Sequence, residues 1–212
     1  MPSPSKLPCE RTIPPRDSWI QLAPGASVQI DERLGQQWSK LTVQCREIRG
    51  NVLAKCFEIE YLIDLVIAET LIPASTNNQD GQQMFKDLLL KGPTISFRTK
   101  IELLRKLCHQ VNRLKPLLPK NIFADLNSIR ELRNDFAHYP VAFEPTGDPP
   151  DQTLLPLLVS RRGRFVLDDA FLKQYSQVFA STHTMLGNTF KALLKPDETA
   201  TPGGMATPQG SP

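Results

Sequence analysis

From Trp38 onward, apolar residues recur at spacings of mostly three and four: Leu41, Cys45, Ile48, Val52, Ile59, Leu62, Ile63, Val66 and Ile67. That period predicts one long amphipathic helix ending near Ile72 and Pro73, where proline disfavours continuation. Gly50 interrupts the stripe without bringing any turn residues with it. A polar loop follows, then a short helix over residues 82–90, stopped by Lys91-Gly92-Pro93. Ser96 has the character of an N-cap for a helix carrying Ile101, Leu104, Leu107, Cys108 and Val111. A fourth helix is expected over residues 121–138, with Ile122, Phe123, Leu126, Ile129, Leu132 and Phe136 as its stripe and Pro140 as its stop. Residues 143–153 read as a loop. Leu157-Leu158-Val159, a turn at Arg162-Gly163, and Phe165-Val166 predict a small β-hairpin. The last helix, over residues 168–194, carries Phe171, Leu172, Tyr175, Val178, Phe179, Met185, Leu186 and Phe190. Its aromatics read as core rather than as a stacking platform for bases.

Each of these helices has one apolar face that needs a partner. The expected fold class is therefore all-α: a bundle of four to five helices with a small β-hairpin insertion before the last one. Residues 1–36, rich in Pro and Ser, read as a partly flexible leader in which Val28 and Ile30 can form a short strand. Residues 196–212 read as a disordered low-complexity tail. The helical domain is assigned to residues 37–195.

Composition narrows the class. The chain has 212 residues, 40% of them hydrophobic and 22% charged, with 19 prolines. The net charge of +3 permits contact with RNA without demanding it. Four cysteines, at positions 9, 45, 56 and 108, form no C-x-x-C pair. They read as reduced thiols, with no metal site and no cofactor expected. No stretch of about eighteen apolar residues occurs, so no membrane span is expected. The amino terminus lacks a run of signal-peptide type, and the expected location is cytoplasmic.

One segment carries chemistry: Arg133-Asn134-Asp135-Phe136-Ala137-His138 at a helix C-terminus. Histidine moves protons near neutral pH. Arginine keeps its charge and grips phosphate with a fixed fork of donors. Together they suit metal-free RNA cleavage, one managing a proton and the other stabilising the charged transition state. At about 100° per residue, however, Arg133 and His138 lie about 140° apart around the helix axis. Asn134 and Arg130 share the face of His138. Assembly of an Arg–His site then requires either unwinding of the helix at His138 or a second copy across a two-fold axis, and a homodimer cleft is the preferred answer. The alternative reading of His138 is a histidine that bonds the last carbonyls of its helix, and that of Arg133 is a bridge between helices. Arg161, Arg162 and Arg164 read as a solvated hairpin tip or as contacts to RNA phosphate. Lys100 reads as part of a solvated basic face.

R-N-x-x-A-H at the end of a late helix resembles the signature of the HEPN superfamily (higher eukaryotes and prokaryotes nucleotide-binding). Arg49-Gly50 followed by Phe57, Glu60, Leu62-Ile63 and Asp64 resembles that family's long first helix. Residues 92–101, Gly-Pro-Thr-Ile-Ser-Phe-Arg-Thr-Lys-Ile, resemble the segment that opens the next major helix in mannitol-repressor-like members. The likeness spans roughly residues 40–140. It implies a HEPN-like helical domain that dimerises and, in many members, a metal-independent endoribonuclease of toxin–antitoxin, phage-defence or CRISPR systems. It implies Arg133 and His138 as the catalytic pair, Asn134 as a residue that orients the site, and Glu60 as a candidate partner of the arginine, with a structural ion pair as the alternative reading of Glu60. The implied partners are RNA, a second copy of the chain, and an antitoxin or regulatory protein. One departure stands out. Members controlled by nucleotidyl transfer carry His-x-Tyr, whereas here Tyr139 follows His138 directly, with Pro140 next. The mannitol-repressor-like likeness also leaves open a non-catalytic regulator or interaction module.

Overall fold

A computed structural model describes residues 19–23, 26–29, 31–73, 78–90, 95–148 and 151–195. Five α-helices dominate them: α1 (Glu32–Leu71), α2 (Gln79–Phe85), α3 (Phe97–Gln110), α4 (Ile122–His138) and α5 (Asp169–Leu193). The strands are β1 (Trp19–Ala23), β2 (Ala26–Gln29), β3 (Val141–Thr146), β4 (Thr153–Ser160) and β5 (Gly163–Val166). The chain is mostly helical, with a small three-stranded antiparallel sheet. Most of the expected leader and the whole of the expected tail, 196–212, lie outside the described residues.

Helix starts follow cap chemistry. Asp31 Oδ1 accepts from the Leu34 N–H at 2.7 Å, and Asp168 Oδ1 from the Phe171 N–H at 2.8 Å. Ser96 Oγ accepts from the Thr99 N–H at 3.2 Å, and Asn78 Oδ1 from the Gly81 N–H at 3.1 Å. Each bond satisfies one donor that the first helical turn leaves over. α1 runs unbroken through Gly50, where an added Cβ would meet nothing within 4 Å. The short helix starts earlier than its sequence pattern suggests and widens into a π-helical turn at Lys86–Leu90.

The described residues fall into two compact units whose boundaries lie within α1, α4 and α5. The first comprises the described residues within 19–58 and 127–180. Its core includes Val52, Cys56, Ile129, Leu132, Phe136 and Leu158. Phe136 meets Phe171 with ring centroids 6.4 Å apart, and Trp38 meets Phe143 edge-on at 6.5 Å. The three-stranded sheet, in the order β3-β4-β5, belongs to this unit. The expected hairpin is therefore present, but the stretch expected as a loop supplies a further strand, β3. Pro145 obscured it. β3 is an edge strand, where a residue without an N–H is tolerated. Pro156 sits in the central strand, but β5 pairs only from Leu157 to Ser160, so no ladder donor is missed. Gly163 takes φ +133° where the chain reverses into β5, a conformation that side chains rarely adopt.

The second unit comprises the described residues within 59–126 and 181–195. Ile63, Val66, Ile67, Ile101, Leu104, Leu114, Ile122, Leu126 and Leu186 form its core. The Arg113 guanidinium donates to the carbonyls of Leu193, the last residue of α5, and Lys195, two residues beyond it. Lys100, expected on a solvated face, is buried, and its ammonium lies 2.8 Å from both Glu60 and Asp64. An i, i+4 pair of carboxylates on α1 thus neutralises one cation from α3. The helical period of Ile101, Leu104 and Leu107 places position 100 at the edge of the buried face, and an apolar count cannot show which side of that edge it takes.

Candidate functional site

The site lies in the first unit, on the last two turns of α4. Spacings of three and four put Glu131, Asn134, Asp135 and His138 along one side of this helix. Opposite them stands the β4–β5 turn with Arg161 and Arg162. These six residues and Tyr139 line an open groove of about 460 Å³. His138, Asn134 and Arg161 are exposed.

Arg162 ties the two walls together. Its Nε donates to Asp135 Oδ2 at 3.0 Å, its Nη2 donates to the same oxygen, and its Nη1 lies 2.6 Å from Glu131 Oε2. Asp135 is buried and Arg162 is not, so the ion pair caps a desolvated carboxylate with a partly exposed cation. Burial lowers the Arg162 pKa, but the hydrogen bond and charge of Asp135, with Glu131, outweigh it and leave the guanidinium above its ordinary value. Asp135 is the site residue that the sequence hid. Within the hexapeptide it reads as a solvated residue or an ion-pair partner, and nothing in the local pattern names an arginine 27 residues away as that partner.

The end of α4 is well formed. The Tyr139 N–H still bonds the Asp135 carbonyl at 2.9 Å, so the last turn holds through His138. The Arg49 guanidinium on α1 donates to the Tyr139 carbonyl at 2.5 Å. That bond satisfies a terminal acceptor and puts a cation at the negative end of the helix dipole. Unwinding of the helix at His138, one of the two ways to join the motif's ends, is absent from this structure.

Arg133 points elsewhere. Its guanidinium lies 5.9 Å from the Phe57 ring centroid on α1, a cation–π contact, and it does not line the His138 groove. Phe57 is itself 57% exposed. Arg130 is 3.5 Å from Glu131 and is likewise not among the groove residues. Glu60, expected as a candidate partner of the motif arginine, has its carboxylate 2.8 Å from Lys100 in the second unit. The structure thus brings Asn134 and His138 together with Arg161 and Arg162, and leaves Arg133 on another side of α4.

Among the described residues, no group of three or more His, Cys, Asp or Glu side chains is placed to hold a metal ion. No helix there is long and apolar enough to cross a membrane. No family model, curated protein or solved structure matches this chain.

Proposed function

We propose that this protein is a metal-independent endoribonuclease that works as a homodimer, with a HEPN-like helical domain. The observation that carries the proposal is the R-N-D-F-A-H segment, with His138 and Asn134 on an exposed groove beside Arg161 and Arg162. In the reaction, the 2′-hydroxyl oxygen attacks the adjacent phosphorus and the bond to the 5′-oxygen breaks. His138 takes the 2′ proton or returns one to the leaving oxygen. Arg133 stabilises charge on the transferring phosphate, and Asn134 orients the site. The products carry a 2′,3′-cyclic phosphate and a 5′-hydroxyl.

Dimerisation is part of the proposal because Arg133 and His138 face different sides of one helix. A second copy supplies the missing half of each pair. The exposed apolar side chains of Val43 and Phe57 support this reading, since they stand on one side of α1 with Arg133 over the Phe57 ring. Covering them in a dimer would also desolvate the arginine. RNA incubated with the purified protein in EDTA tests the assignment: the parent is expected to cleave, and His138→Ala to lose about a hundredfold or more. Equal cleavage by the two would remove His138 from the chemistry.

The separation of Arg133 from the His138 groove favours one second reading, a non-catalytic regulator that holds a partner or nucleotide in the same groove. Growth on expression distinguishes the two. An active ribonuclease slows its host and Arg133→Ala relieves it, whereas a regulator shows neither effect.

A further inference from the structure

The Arg162–Asp135 pair that walls the His138 groove also forms one wall of a second cavity, of about 280 Å³. The rest of that cavity lies between α4, β5 and α5. Phe165, Phe171 and Tyr175 present aromatic surface to it, and Ser128 and Gln174 add neutral hydrogen-bonding groups. Phe171 and Tyr175 meet along α5 as a tilted pair with centroids 4.9 Å apart. Both are only half-buried, whereas Phe179, the next ring in the ladder, is buried. The α5 aromatics therefore divide between core and cavity, which corrects their reading as core alone. Burial in this wall raises the Tyr175 phenol well above its ordinary value, so it remains neutral.

We propose that this cavity takes one unpaired RNA base, stacked on the aromatic wall with its edge toward Asp135 and Gln174. Its volume falls just under the roughly 300–1,000 Å³ usual for larger ligands, which suits a single planar ring system. Single-stranded RNA is read in this way, by rings that stack on bases and polar groups that meet their edges. The adjoining groove, with exposed Arg161 and His138, then receives the phosphate attached to that base. The inference rests on the ribonuclease reading for the identity of the ligand and adds a site of base selection to it.

The test titrates the four 5′-mononucleotides into the full chain by calorimetry, with ribose 5-phosphate as the base-free control. At least one mononucleotide is expected to bind about tenfold or more tightly than the control, the scale of one stacked base. Val178→Phe, which fills the cavity, is expected to abolish that margin and leave ribose 5-phosphate binding unchanged. If that variant does not fold, Gln174→Trp closes the same cavity from an exposed position and gives the same readout. A mononucleotide that binds no better than ribose 5-phosphate, or a margin that survives the blocking variant, overturns the proposal. RNA cleavage by the same preparations separates the two readings. Cleavage without a base margin removes the base pocket and leaves the ribonuclease. A base margin without cleavage sustains the pocket and removes the ribonuclease.

Discussion

Each unit of this protein sets one cation against two carboxylates, and the two clusters are built differently. In the second unit, Lys100 meets Glu60 and Asp64, its side chain only 4% exposed. In the first, Arg162 meets Asp135 and Glu131 with its side chain 41% exposed, at the junction of two cavities. The Lys100 cluster has the form of a structural device. A buried ion cluster of this kind contributes little net stability but is costly to break. The Arg162 cluster uses one buried carboxylate to hold a planar donor at the edge of the groove. Charge alone does not distinguish the two clusters; access does.

Removing the cations should therefore have unequal consequences. Lys100→Ala leaves two carboxylates without their cation, and we expect a loss of about 3–5 kcal/mol in urea denaturation. A loss below about 1 kcal/mol would mean that water reaches this cluster. Arg162→Ala strands Asp135 but opens it to the groove, so the expected loss is smaller, about 1–3 kcal/mol. Equal losses for the two variants would erase the distinction drawn between the clusters.

A third expectation concerns pH in the second unit. Burial pushes the Cys108 thiol up to about 11. An unfolded cysteine ionises near 8.5, so between these values the unfolded chain sheds the proton first and stability falls as pH rises. At pH 10 the contribution lost is about 1–2 kcal/mol. Denaturation at pH 8 and pH 10 should show that extra loss in the parent and not in Cys108→Ser. Parallel pH slopes would place the thiol in contact with solvent. The smallest expected effect on stability is that of His138→Ala, under about 0.5 kcal/mol, because the side chain is exposed. A larger loss, read by the same denaturation, would return His138 to a capping role.

Much of the fold was legible because local rules and packing agree. Ser96 caps α3 as its position suggests, and Pro140 stands two residues beyond the last residue of α4. The apolar stripe of α1 carries through Gly50 because one glycine on an exposed face costs a helix only about 1 kcal/mol. What escaped were pairings over distance. β3 carries Pro145 and precedes Gly147, so its local signals say loop, and only pairing with β4 makes it a strand. Lys100 and Asp135 each depend on partners in another element, which no periodicity records. The site was legible in the same uneven way. The 140° separation of the motif's ends could be worked out from the helical period alone, and the structure places Arg133 and His138 on separate surfaces of α4. The sequence marks Arg49 only within the resemblance of the first helix and Arg162 only within the arginine cluster at the turn; neither signal names its partner on α4.

The central claim is that one chain supplies the arginine and another the histidine. Mixing two inactive variants, Arg133→Ala and His138→Ala, tests it most directly. After the mixture is unfolded and refolded together, half of the dimers are mixed and each carries one intact pair, so about a quarter of the parent's RNA cleavage should return. Each variant refolded alone should remain inactive. Two inactive variants that stay inactive together, despite forming mixed dimers, would contradict the account.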